Sequence, residues 1–215
     1  MVTVKNKISR VIINKLRSKK EKILSKEEII KTIEDYQKIY KIKVNLISLW
    51  TYLRKDNYIK RILGDYYYVY SLEERYNHYC NLSEEELIFL VLEKMRLKWY
   101  LGLESALKEN KIIWQALNVI IIMNNHFSGI KKLGNSKFKF IKTKEKRFNF
   151  GLIDAETNNK VAYFYSDLEK TYMDFLYFYK EKDIKTMKKN LDFKVRRDKL
   201  KKYARSYSKK IQEAI

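Results

Sequence analysis

What most constrains this chain is residues 45–56, Asn-Leu-Ile-Ser-Leu-Trp-Thr-Tyr-Leu-Arg-Lys-Asp, and the segment that follows them. At 100° per residue, Leu46, Leu49, Trp50 and Leu53 fall on one face, an apolar stripe that requires a core. The opposite face collects Ser48, Thr51 and Lys55, flanked by Ile47, Tyr52 and Arg54. Short hydroxyls beside long cations suit a helix in a DNA major groove: the small side chains approach base edges while the cations neutralise phosphate. Taken alone, the helix reads equally as an amphipathic element with a solvated face. Residues 58–70, Tyr-Ile-Lys-Arg-Ile-Leu-Gly-Asp-Tyr-Tyr-Tyr-Val-Tyr, then form two β-rich arms around Gly64-Asp65, a hairpin signal. A helix followed directly by a basic, tyrosine-rich hairpin is the order of a winged helix-turn-helix. Asn45, Ser48, Thr51, Tyr52 and Lys55 on the helix, with Lys60 and Arg61 on the wing, are the candidate DNA-binding residues.

The residues upstream complete such a domain. Residues 5–19 place Ile8, Val11, Ile12 and Leu16 along one helical side. Ser25 and Glu28 make a capping box, and Leu24 with Ile29 a hydrophobic staple, for a helix to about Tyr36. Residues 40–44 are a short strand or the turn itself. At Ser71 a connecting helix begins and the composition changes, so residues 1–71 are expected to be one domain and 72–215 a second. In the second, Ser83 and Glu86 repeat the box for a helix to about Lys98, and another helix covers 103–110. Apolar, β-branched segments follow at 116–123, 138–143, 147–153 and 161–165. Residues 166–169, Ser-Asp-Leu-Glu, read as a further capping box opening a helix to about Lys180. The expectation is an α+β chain: a winged helix-turn-helix, then a mixed domain with a mostly antiparallel sheet (core about 99–180) flanked by helices, then a helical basic tail over 181–215.

Charge falls unevenly on this frame. The 215 residues carry 47 Lys and Arg against 26 Asp and Glu, a net charge of +21. Residues 1–71 hold 17 basic and 7 acidic side chains, 72–180 hold 17 and 14, and 181–215 hold 13 and 5. The excess at the two ends implies a polyanionic partner, with nucleic acid first. No apolar run approaches the ~20 residues of a membrane span, and residues 1–7 lack the apolar region of a signal peptide, so a cytoplasmic location is expected. Cys80 is alone, which excludes an internal disulfide and a cysteine-rich zinc site.

Chemistry is sparse. His78 and His126 lie far apart without a nearby ligand, and five glycines form no phosphate loop or dinucleotide fingerprint. Asp154 and Glu156 would share a strand face as a metal-holding pair does, but the Asn158-Asn159 that follows reads as a hairpin turn. Tyr163, Tyr165, Tyr172, Tyr177 and Tyr179 stack bases in one reading and fill a sheet core in the other. No nucleophilic triad, metal site or cofactor site emerges, and no enzyme is expected.

Residues 99–110, Trp-Tyr-Leu-Gly-Leu-Glu-Ser-Ala-Leu-Lys-Glu-Asn, and the strand 117–123, Leu-Asn-Val-Ile-Ile-Ile-Met, resemble the core of the AbiEi-like antitoxins, also described as transcriptional regulators of viral defence. Residues 161–176 are similar to that family's strand followed by an acidic-x-Glu-Lys-Thr helix start, with an Asp three residues after the Thr. Residues 200–214 resemble its closing helices. The family often has Gly and Pro between the Ser-Ala-Leu helix and the next strand, where this chain has Asn-Lys-Ile-Ile-Trp-Gln. The resemblance implies a type IV toxin–antitoxin or abortive-infection regulator. Its N-terminal domain would bind inverted repeats in its own promoter as a repressor. Its C-terminal domain would neutralise a cognate nucleotidyltransferase toxin, whose Gly-Ser loop and paired-aspartate strand do not occur here. Lys188, Lys189, Arg196, Arg197, Lys201 and Lys202 are partner-surface candidates from where the charge falls. A monomer in solution, with two copies meeting on DNA, is expected. The alternatives are a winged-helix transcription factor with a ligand-sensing or oligomerising C-terminal domain, and an RNA-binding protein using the basic tail and tyrosines.

Overall fold

The computed structural model describes residues 4–41, 43–179 and 195–213. They form two compact units, Met1–Lys94 and Met95–Ile215, each mixing helices with β-sheet, so the chain is α+β.

The first unit runs α1 (Val4–Ser18), β1 (Ile23–Ser25), α2 (Lys26–Tyr40), α3 (Leu46–Lys55), β2 (Ile59–Leu63), β3 (Tyr66–Val69), α4 (Leu72–Tyr76) and α5 (Glu84–Lys94). The Ser25/Glu28 capping box forms in both directions, Ser25 N donating to Glu28 Oε2 at 2.7 Å and Glu28 N to Ser25 Oγ at 3.1 Å. It satisfies two backbone groups that a helix start otherwise leaves open. Lys41, left-handed at φ 50°, ends α2 at Tyr40, four residues beyond the expected end, and residues 40–44 are the turn into α3. The core is aliphatic: Ile12, Leu16, Ile29, Ile33, Leu49 and Leu53, closed by Tyr67 and Val69. Truncating any one of these costs about 2–5 kcal/mol.

The three strands are antiparallel in the order β1-β3-β2. β1 is an addition to the expected hairpin, its three residues too short to show alternation. In the hairpin, Gly64 sits at φ +54° in the first central position, where a tight two-residue turn wants glycine.

The unit extends past Ser71 to Lys94, a difference from the expected domain boundary with a clear cause. Glu74 is 2% exposed. Its Oε1 accepts from Tyr68 Oη at 2.6 Å and Asn81 N at 2.9 Å, and its Oε2 from Ser71 N at 2.8 Å. Arg17 reaches Tyr70 O at 3.0 Å, and Arg75 reaches Asp56 O at 2.7 Å. Lys94 is ion-paired with both Glu21 and Glu28, and α5 packs on β1 and β2. The segment read as a connector is part of the first fold.

The second unit runs β4 (Trp99–Leu101), α6 (Leu103–Glu109), β5 (Ile120–Asn124), β6 (Gly129–Leu133), β7 (Ser136–Lys142), a 3-10 turn (Glu145–Phe148), β8 (Leu152–Glu156), β9 (Ala162–Ser166) and α7 (Leu168–Phe178). Two tail helices follow, α8 (Arg197–Ala204) and α9 (Lys209–Gln212). Six strands form one mixed sheet, β6-β7-β5-β4-β9-β8. The pairs β6–β7, β5–β4 and β9–β8 are antiparallel, and β7–β5 and β4–β9 parallel. Tyr100, Leu103, Leu107, Met123, Met173 and Phe175 make the core between sheet and helices, and Leu200, Tyr203, Tyr207 and Ile211 seal it from the tail.

Two local expectations are corrected. The strand over 147–153 is instead the 3-10 turn and the start of β8, because Arg147 turns inward: it is 1% exposed and its guanidinium lies 3.6 Å from the Tyr177 ring centre. The cap of α7 is Asp167, not Ser166. Asp167 Oδ1 accepts from Lys170 N at 2.8 Å, while Ser166 Oγ pairs with Thr171 Oγ1 at 2.7 Å. Glu169, the would-be box partner, instead accepts from Arg196 N at 3.1 Å and Lys199 Nζ at 3.1 Å.

Candidate nucleic-acid interface

α3 is held from behind. Leu49 and Leu53 are buried, and Trp50 meets Tyr67 edge-on at 5.1 Å between ring centres. Asn45 caps the helix, its Oδ1 accepting from Ser48 N at 3.0 Å. That fixes the rotation, and Asn45, Ser48, Thr51 and Lys55 all stand exposed on the side away from the core. Lys43 and Arg54 are exposed beside them. A cavity of about 190 Å³ opens at the start of the helix, lined by Ser9, Lys43, Val44, Asn45, Ser48 and Tyr52 among others.

The other candidates are less available. Tyr52 is half-buried with its hydroxyl 3.1 Å from that of Tyr58; burial first, then this pairing, push its pKa up to about 12. Tyr58 is itself covered by the Arg75 guanidinium, 4.0 Å from its ring centre. On β2, successive side chains point to opposite faces. Arg61 pairs with Tyr67, the residue that touches Trp50 of α3, but it is folded onto the turn, donating to Gly64 O at 2.6 Å. Lys60 pairs with Tyr68 on the other face and lines a cavity of about 470 Å³ with Tyr70, Glu74, Arg75, His78 and Cys80. The structure therefore brings Asn45, Ser48, Thr51 and Lys55 together, with Arg61 on the side of the sheet that meets α3, and sets Lys60 on the opposite side.

In the second unit, Lys188 and Lys189 lie outside the described residues. Arg197, Lys201 and Lys202 are exposed on α8, and Arg196 lies against Glu169 with Nε to Oε1 at 3.7 Å. The tail cation with most to hold is one the charge count passed over. Lys199 Nζ lies 2.6 Å from Asp167 Oδ2 and 3.1 Å from Glu169 Oε2. Burial lowers its pKa, and those two carboxylates more than reverse this.

A second omission is the β6–β7 hairpin. Residues 110–144 contain seven lysines and no acidic residue, a run hidden in the nearly neutral total of the middle segment. Lys132 and Lys137 are exposed and directly opposite each other, and Ile130, 66% exposed, is opposite Lys139. Like charges in register oppose pairing, so this face is held by the sheet around it.

A buried charged cluster lies behind the tail. Asp174, fully buried, accepts from Tyr207 Oη at 2.6 Å and Tyr100 Oη at 2.9 Å. Lys170, also fully buried, has Nζ 3.8 Å from Asp174 Oδ2, over the rings of Tyr100 and Phe150 at 4.4 and 4.5 Å, with no hydrogen-bond acceptor. Burial pulls its pKa down, and the Asp174 charge partly restores it. Gly151 permits the approach: its φ is +61°, and an added Cβ would lie 2.9 Å from Lys170 Cβ. Among the described residues no group of three or more His, Cys, Asp or Glu is placed to hold a metal ion, and no helix is long and apolar enough to cross a membrane. Asp154 and Glu156 do share an exposed face of β8, ahead of the turn into β9.

Compared with known proteins, the chain matches no family model and no curated relative.

Proposed function

We propose that the first unit is a winged helix-turn-helix that binds duplex DNA, with α3 as recognition helix and β2–β3 as wing, and that the chain represses its own promoter. One observation carries this reading: α3 is anchored by Leu49, Leu53 and Trp50, and turns a cap-fixed face of Ser48, Thr51 and Lys55 outward. Replacing Ser48 and Thr51 together by Ala should relax sequence preference, at about 1–3 kcal/mol for each lost good base contact. Replacing Lys55 should weaken all duplexes alike and reduce the slope of log affinity against log salt by about 0.9. The test is a titration against the upstream intergenic DNA and a random duplex at several salt concentrations. Unchanged affinity of the Ser48/Thr51 variant for both would remove the assignment. Two copies of a monomer meeting on an inverted repeat complete the proposal, and sedimentation of a tight dimer without DNA would contradict it.

For the second unit, the proposed role is neutralisation of a cognate nucleotidyltransferase toxin, resting on the resemblance of residues 99–110, 161–176 and 200–214. Co-expression with a neighbouring toxin gene, scored by growth, tests it. RNA binding is a second reading, favoured by the unopposed lysines of the β6–β7 hairpin. Equal affinity for single-stranded RNA and duplex DNA, lost when Lys132, Lys137 and Lys139 are changed to Gln, would support it instead. None of these roles asks the chain to catalyse a reaction.

A further inference from the structure

We infer that α3 selects DNA by the methyl groups of thymine, through Ile47 and the methyl of Thr51. The inference rests on the reading of α3 as the recognition helix. Ile47 is 79% exposed, on the outward side of a helix whose apolar face is already committed to the core. Thr51 stands one turn further along, and its Oγ1 donates to Ile47 O at 2.9 Å. A hydroxyl has one proton to give. With that proton spent on its own helix, Thr51 cannot donate to the N7, O6 and O4 acceptors of the major groove. What remains is an acceptor lone pair and a methyl group.

Ile47 and Thr51 therefore present an apolar strip bordered by Ser48. Ser48 makes its bond to Asn45 through the backbone and so keeps its hydroxyl for a partner. Exposed Lys43, Arg54 and Lys55 surround the strip and complement a phosphate backbone. In the major groove the thymine C5-methyl is the one apolar group that base pairs display. An isolated exposed isoleucine needs no explanation. One placed a turn from a threonine with a committed hydroxyl, inside a ring of cations, matches that one feature. The occupant is duplex DNA with thymines in the groove that α3 enters.

The experiment uses the full chain and the upstream intergenic duplex, prepared with thymine or with deoxyuracil, which removes only the methyl. Wild-type protein should lose about fourfold in affinity for each contacted methyl, the value of one buried methylene-sized group. The variant Ile47→Ala, at an exposed position that leaves the core intact, should show a much smaller difference between the two duplexes. Equal binding of both duplexes by wild type, with preference over random DNA retained, would overturn the inference and leave the DNA-binding reading standing. A full-sized difference persisting in Ile47→Ala would trace to DNA shape and also overturn it. Loss of any preference for upstream over random DNA would remove the underlying reading and this inference together.

Discussion

The two units handle charge in opposite ways. In the first, the core is aliphatic and aromatic, its one deeply buried acid is Glu74 among the described residues, and that carboxylate accepts three short hydrogen bonds. In the second, Lys170, Asp174 and Arg147 are all essentially sealed from solvent, and Lys170 finds an ion pair but no hydrogen bond. Buried pairs of this kind add little net stability, yet they are costly to break from one side. In the first unit, then, outward charges can be changed without touching the fold. In the second, some of the charges are the fold.

The largest test of that contrast is Asp174→Ala. It strands Lys170 and removes the acceptor of both Tyr100 and Tyr207, so a loss of about 3–5 kcal/mol is expected in chemical denaturation. Lys170→Met should cost much less, because Asp174 keeps both tyrosine donors. Equal losses would mean that the ion pair, rather than the tyrosines, holds the carboxylate.

Next comes Glu74. Glu74→Ala leaves Tyr68 Oη and two backbone N–H groups without their acceptor, at about 1–3 kcal/mol each at most. Burial raises the Glu74 pKa, but the hydrogen bonds from Tyr68, Asn81 and Ser71 together bring it below its ordinary 4.5. A depressed carboxylate contributes stability that is present above the unfolded value and is lost as pH falls through the folded one. Wild-type stability should therefore drop below about pH 4.5, and less steeply in Glu74→Gln. For the same reason a fragment of residues 1–94 should unfold cooperatively, while 1–71, lacking Glu74, Arg75 and Lys94, should be far less stable by circular dichroism.

The smallest effects on stability are expected at the outward residues. Ser48→Ala with Thr51→Ala, and charge reversal of Arg197, Lys201 and Lys202, should each stay within about 0.5 kcal/mol per residue. Their consequences belong in DNA selectivity and in protection from a toxin respectively. Thermal melts run beside those assays would separate the two, and a large melt shift in the tail variant would make those cations structural.

What was legible in the sequence was local. The Ser25/Glu28 and Ser83/Glu86 boxes follow from three-residue spacing and both form. The outward face of α3 follows from its period. The Ser166–Glu169 box was misread because Lys199, thirty residues on, competes for Glu169. β6 went unseen because Gly-Ile-Lys-Lys-Leu alternates poorly; its register comes from β7. The Ser71/Glu74 box was passed over, and with it the true extent of the first unit, since a glutamate in a charged helix start gives no sign that it will be buried. Tyr52 and Lys60 look as available as Ser48 until Tyr58 and Tyr68 are placed beside them.

The hydrogen bonds from Tyr203 to Asp167 and from Tyr207 to Asp174 also set an order in time. Tyr207 is made 33 residues after Asp174. At a synthesis rate of about 5–20 residues per second, that is a delay of about 2–7 s. Through that interval the sheet and α7 can assemble around a carboxylate that has one tyrosine donor instead of two. Lys170, beside it, waits with no lid over its side of the core. A chain terminated before residue 207 would stay in that half-finished condition, exposing charge and apolar surface together to the cell's proteases.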